Sequence, residues 1–278
     1  MTKKNLWIVA GLMLMTGLVL YASCHRFLCS REIGVSEKSM PSPVVVEQYA
    51  RKTVYGELGG VPVEIPSLFA EYVEHDGDPG WSEKIAEPQS ARERGAKLAS
   101  FGFSIRYPDM VGKDSPAHLA DYKNRKIGST TWIRVGINSA RMYSGSGSIG
   151  RLAENSLNRM LSTSSRPPYQ YKKLSYKQYG LNVYVPKGFD AENNVPYRKH
   201  KDAEDVFVGV DSDGGVISYI KCSNRPIESA PCEHHFDLEP KMHADVSVSY
   251  RRGMLSEWRE IQESVTRVVL NFSVTKNN

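Results

Sequence analysis

The feature that most constrains this chain is a short passage that occurs twice. Residues 53–69 read TVYGELGGVPVEIPSLF, and residues 173–189 read KLSYKQYGLNVYVPKGF. Gly60 aligns with Gly180, Val63 with Val183, Ile65 with Val185, Pro66 with Pro186 and Phe69 with Phe189. Each copy reads as a strand, a glycine turn, and an alternating apolar strand that a proline ends. Two such hairpins commit both halves of the chain to antiparallel β-structure.

The downstream patterns agree. TTWIRVGINSA (130–140) sets Trp132, Arg134 and Gly136 against Ile133, Val135 and Ile137, and HADVSVSYRR (243–252) sets Val246, Val248 and Tyr250 against polar neighbours. Period-two alternation of this kind predicts half-buried strands. A helix is predicted after each. In the first, capped by Ser148, Ile149, Leu152, Ser156, Met160 and Leu161 share one side; in the second, capped by Ser256, Leu255, Trp258, Ile261, Val265 and Val268 recur at threes and fours. ASFGFSIRYP (99–108) supplies a further strand, and Ser115-Pro116 starts a short helix. EDVFVGV (204–210) and VISYIKC (216–222) flank Asp213-Gly214-Gly215 as a hairpin. The expected fold is α+β. Two similar lobes, 51–165 and 166–278, each carry an antiparallel sheet with a C-terminal helix packed on one face. A single two-sheet domain built by duplication is the alternative.

The N-terminus reads as a membrane signal. Lys3-Lys4 precede an uncharged run from Leu6 to Ala22, and Cys24 follows. Positive charge before an apolar run keeps the lysines cytoplasmic and sends the bulk of the chain across. Ala22-Ser23-Cys24 has the small-small-Cys order of lipoprotein processing, although Tyr21 stands where an aliphatic residue is usual. Lipidation at Cys24, an uncleaved helical anchor and a simple cleaved signal therefore all stay open. Residues 1–24 are assigned to this signal or anchor, and 25–50, rich in serine, proline and charge, to a tether. The expected location is the periplasm, membrane-anchored through the N-terminal segment.

The formal net charge is +5, or +3 if Lys3 and Lys4 leave with a cleaved signal (+5 − 2). That is too mild to imply nucleic acid. In an oxidising compartment Cys222 and Cys232, which flank the turn-forming SNRPIESAP, are expected to form a disulfide.

No catalytic, cofactor or metal site is expected. GSGSIG (145–150) matches the dinucleotide fingerprint in letters, yet no Asp or Glu occurs between Glu154 and Asp190 to hold a ribose. His234 and His235 sit near Glu233 and Asp237, but adjacent histidines on a strand point to opposite faces and chelate one ion poorly. Two stretches combine aromatic residues with charge, as protein interfaces do. FAEYVEHDGDPGW (69–81) carries Glu71, Tyr72, Glu74, Asp76, Asp78 and Trp81; RPPYQYKKLSYKQY (166–179) carries Tyr169 and Tyr171 among lysines. These eight residues are the candidate protein-binding residues, with the acidic segment as the steering element.

At GGVPVEIPSLFAEYVEHDGDPGW (59–81) and FGFSIRYPDM (101–110) the chain resembles membrane-anchored periplasmic immunity proteins. These accompany phospholipase-type antibacterial toxins of the type VI secretion system. The resemblance implies a protein without catalysis that binds a cognate toxin, a phospholipase, and neutralises it. The rival expectation is an envelope lipoprotein with a scaffold or assembly role.

Overall fold

The computed structural model describes residues 53–78, 95–158 and 169–274. The signal and tether segments, Cys24, Trp81, Met160, Leu161 and the expected lobe boundary at 165/166 lie outside the described residues.

The described chain runs β1 (Thr53–Leu58), β2 (Val61–Pro66), β3 (Glu71–His75), β4 (Leu98–Arg106), α1 (Pro116–Asn124), β5 (Trp132–Ser139), α2 (Ser148–Leu157), β6 (Tyr171–Gln178) and β7 (Leu181–Pro186). It continues with β8 (Phe189–Asp190), β9 (Val195–Pro196), β10 (Glu204–Val210), β11 (Val216–Ser223), β12 (Pro231–Asp237), β13 (Ala244–Arg251) and α3 (Trp258–Leu270). One nine-stranded sheet has the order β3-β4-β5-β13-β12-β11-β10-β7-β6. Every pair in it is antiparallel.

The α+β class and the C-terminal helix are as the patterns imply. The sheet, however, passes through both expected lobes. Strands β3–β5 of the first half join β13 of the second, from Ala244↔Ser139 to Ser249↔Arg134. The helix expected to cover first-half strands also crosses over. Ile149 and Ala153 of α2 pack on Val206, Val208 and Tyr219 of β10 and β11, while Leu152 points outward. The cause is the polarity of the sheet's outer face. On β4 and β5 that face carries Ser100, Gly102, Arg134, Gly136 and Asn138, which offer a helix little apolar surface; β10 and β11 offer valines and a tyrosine.

The two repeated hairpins form as expected and then diverge. Both have two-residue turns with positive φ at each central position, Gly59 (φ 55) with Gly60 (φ 88) and Tyr179 (φ 51) with Gly180 (φ 80). β1 and β2 form a separate two-stranded sheet, with Leu58, Val63 and Ile65 buried in the main core. β6 and β7 instead extend the large sheet. Phe69 packs on Phe103 and Phe272, each with ring centroids 5.7 Å away, whereas its counterpart Phe189 is exposed.

The inner face holds the core. Phe103, Ile105, Val135, Ile137, Val246 and Val248 meet Trp258, Ile261, Val265 and Val269 of α3. A 3-10 turn, Arg252–Glu257, precedes α3 and places Glu257, not Ser256, at the cap position. The N-cap of α1 is Ser115, which accepts from the His118 amide at 3.1 Å. The acidic segment, which the sequence patterns assign to no strand or helix, contains the edge strand β3; its acidic residues are weak strand formers, and pairing with β4 overrides that preference.

The fully buried Asp205 carboxylate sits between two guanidinium groups, Arg198 and Arg252, each at 2.7 Å, with the Asn224 amide at 3.0 Å. Burial alone would raise its pKa; the hydrogen bonds from these three groups outweigh that and hold it below the usual carboxylate range.

Cys222 and Cys232 face each other across β11 and β12 and are joined by a disulfide. Closing a loop of sequence separation 10 restricts the unfolded chain by about 3 kcal/mol. Cys222→Ser, Cys232→Ser and reductant treatment of the parent are expected to lower the melting temperature by similar amounts. An unfolding curve unmoved by reductant would contradict this.

Candidate functional site

The outer face of the sheet is covered unevenly. α2 lies over β10 and β11. α1 sits beside the far end of β5: Asp121 accepts from Trp132 Nε1 at 2.9 Å, and the Tyr122 ring meets the Trp132 ring edge-on at 5.1 Å. Between them, over β4, β5 and β13, no described residue covers the sheet, which forms a groove of ≈510 Å³.

Its floor follows from cross-strand pairing of small residues. Gly136 stands opposite Gly102 on one side and Ser247 on the other, and Asn138 stands opposite Ser100. A Cβ on Gly136 would come within 2.7 Å of Ser247 Oγ, and one on Gly102 within 3.1 Å of the Val135 carbonyl. The glycines thus keep the groove open and let neighbouring strands approach. One wall is Tyr122, whose ring is held between Arg125, 3.7 Å from its centroid, and Lys113, 4.7 Å away. β3 also lines the groove, with Glu71, Tyr72 and Glu74, and Lys113 links Glu71 to the Tyr122 ring.

Tyr72 is 82% exposed and adopts φ 55, a left-handed conformation costly for a bulky side chain. It occupies an irregularity in the β3–β4 register between Glu71 and Glu74. The edge strand is bent so that an aromatic ring projects at the mouth of the groove.

The charges around the groove are mostly neutralised within the chain. Glu71 pairs with Lys113. Glu74 and Asp76 both face Arg141, at 3.9 and 3.5 Å. Arg134 lines the groove, is exposed, and has no hydrogen bond or ion pair to its guanidinium among the described residues. Farther along the outer face, Asp245 is held by the Asn138 amide at 3.0 Å, and burial raises its pKa. Asp237, opposite it in register, is pushed up to about 6, chiefly by burial.

Of the eight residues singled out from sequence, the seven that are described do not form one patch. Glu71, Tyr72 and Glu74 line the groove. Asp76 lies past its end beside Arg141, and Asp78 accepts from the His75 amide at 2.7 Å. Tyr171 is on β6, at the opposite edge of the sheet, packed against the cluster under α2. The hydroxyl of Tyr169 meets His200 Nδ1 at 3.1 Å. Sequence reading missed Arg134, Gly102, Gly136, Ser247 and Tyr122. The alternation of β5 already set Arg134 and Gly136 on the polar face; only the strand order shows that their neighbours are small.

The other motifs are absorbed by the fold. β5 is antiparallel to both neighbours, so the glycine segment 145–150 does not belong to a parallel βαβ unit, and Arg151 ties down the carbonyls of Ser144 and Ser146. His235 points outward and pairs with Glu233 at 3.2 Å. His234 points inward, 2.8 Å from Ser218 Oγ, 3.1 Å from Gln262 and 3.3 Å from the Tyr250 hydroxyl. The Ser218–His234 distance suits a nucleophile and base, but both residues are completely buried and no substrate reaches them. Among the described residues, no group of three or more His, Cys, Asp or Glu could hold a metal, and no helix is long and apolar enough to cross a membrane.

No protein-family model matches the sequence, and no curated protein matches it. In fold, the chain is similar to an immunity protein of a bacterial secretion system. That protein is Smlt3025 of the Stenotrophomonas maltophilia type IV secretion system, with a TM-score of 0.51 and 18% identity over 82% of this chain and 94% of that one. FrpD, an iron-regulated outer membrane lipoprotein of Neisseria meningitidis, aligns with a TM-score of 0.42 and 12% identity over 81% of this chain and 93% of its own. At these identities the likeness is one of fold.

Two measurements test this description. Burial drives the His234 imidazole down to about 3, the hydrogen bond that Gln262 Oε1 accepts from the ring opposing. The unfolded chain takes up a proton below about pH 6.5 that the fold refuses, so stability is full above that pH and falls on acidification, by up to about 1.4 kcal/mol per pH unit. Asp237 acts in the opposite sense, so the comparison must be with a variant. Between about pH 7 and pH 5 the guanidinium midpoint of the parent is expected to fall more steeply than that of His234→Gln; parallel slopes would remove His234 from the account. Tyr72→Gly relieves the left-handed backbone and is expected to unfold at the same temperature or higher. A marked drop would mean that the Tyr72 ring serves the fold.

Proposed function

We propose that this chain is an immunity protein: it binds a toxin protein and blocks it, and performs no chemistry of its own. The observation that carries this reading is the small-residue groove, uncovered among the described residues, with Tyr72 lining it in a strained conformation. Strain of this kind concentrates at functional positions, and exposed aromatic residues anchor interfaces. The fold shared with Smlt3025, an immunity protein, supports the same reading.

The finer assignment rests on the sequence resemblance. In this proposal the toxin is a phospholipase delivered by a type VI secretion system. The immunity protein waits in the periplasm, held to the membrane by its N-terminal segment, and protects the cell from its own kind. The secretion system of Smlt3025 is a type IV system, so the type VI assignment draws on the resemblance at 59–81 and 101–110 alone. An immunity protein must hold its toxin tightly, which generally takes an interface of about 1,600 Å² in total. The groove with its β3 wall would be the centre of such an interface, not the whole of it.

The test is protection. The toxin encoded by the neighbouring reading frame is directed to the periplasm of cells with and without this protein. Survival restored by the full chain, and weakened by Tyr72→Ala at equal protein level, is the expected result. Killing that is unchanged by the protein overturns the proposal.

A further inference from the structure

The charge pattern of the groove specifies what kind of toxin surface it takes. This inference rests on the proposed immunity role and adds the partner's chemistry. Acidic residues dominate the sequence of the β3 segment and suggest a basic partner. The paired side chains reverse that reading: Lys113 neutralises Glu71, and Arg141 faces both Glu74 and Asp76. What remains uncompensated inside the groove is Arg134.

Its surroundings suit a bidentate anion. Arg134 stands on β5 between Ser104 of β4 and Ser249 of β13. Ser249 and the next outward pair, Gly136 and Ser247, are too small to fold over the guanidinium or to fill the space above it. Arg125, against the Tyr122 ring, keeps that wall cationic, while Lys113 on the same ring is paired with Glu71. A planar guanidinium on an open floor matches a carboxylate through two parallel hydrogen bonds. Tyr72, which also lines the groove, offers a ring for the chain that carries the carboxylate.

The geometry points to Arg134 as the ion-pairing anchor of the groove, taking an aspartate or glutamate side chain on a segment of the toxin that lies across β4, β5 and β13 and against Tyr72.

The test is affinity for the toxin of the neighbouring reading frame, measured by calorimetry with purified full chain and its variants. Arg134 is exposed, so its variants should melt as the parent does, and melting curves are recorded for each. Loss of one partner of an interfacial charge pair should weaken binding by about 30-fold or more in Arg134→Gln, further in Arg134→Glu, and less in Arg134→Lys. Lys172→Glu on β6, at the other edge of the sheet, should stay within about twofold of the parent. Arg134→Gln that binds as tightly as the parent overturns the inference and leaves the immunity role standing. Arg134→Glu that binds more tightly shows a basic partner and overturns it as well. A parent chain that neither binds nor protects brings down both.

Discussion

The groove and the single sheet beneath it depend on the antiparallel pairing of β5 with β13. It joins strands far apart in sequence and turns two half-sheets into one. It also sets the register that places Gly136 opposite Ser247 and Arg134 opposite Ser249. Because side chains alternate along a strand, a slip of one residue would turn Ile133, Val135 and Ile137 to the outer face and bury Arg134. The core contacts of those three residues with the α3 side of the sheet make that slip costly, so the groove inherits its geometry from the core behind it.

The same sheet explains why two similar halves reach different ends. The repeated hairpins have the same turn geometry and the same buried alternation, but each hairpin takes the partner surface available to it. The first lies on the core, where Leu58, Val63 and Ile65 are buried beside Phe272. The second finds β10 exposed at the edge and lengthens the sheet. α2 likewise goes where the outer face is apolar. Its absence from β4 and β5 leaves the groove uncovered among the described residues, so the polar stretch of sheet that offers a helix little apolar surface also forms the groove floor.

Charge is handled in two ways. In the interior, Asp205 is enclosed by two arginines and an asparagine, and His234 is kept neutral within a ring of hydrogen-bonding partners. At the surface, the acids of β3 are matched by Lys113 and Arg141. Against this background of local pairing an unmatched Arg134 in a concave, small-residue setting is informative, because the fold otherwise gives its groove-facing charges partners.

Much of the architecture was legible from sequence. Alternation of two identified β5 and β13, the Asp-Gly turn between apolar runs identified β10 and β11, spacing at threes and fours identified α3, and the glycine turns identified both repeated hairpins. These signals are local: a strand's two faces and a helix's one stripe are written in neighbouring residues. β3 was not legible as a strand, because its acids have little strand preference of their own. Nor did the sequence reveal that Tyr169 and Tyr171 stand at the opposite edge from Tyr72, or that Glu71 and Glu74 have cationic partners. Strand order, and with it the groove, the crossing of α2 and the isolation of Arg134, was decided only in three dimensions. Pairing between β5 and β13 is selected by the burial of a shared inner face, a collective free energy that no short window of sequence contains.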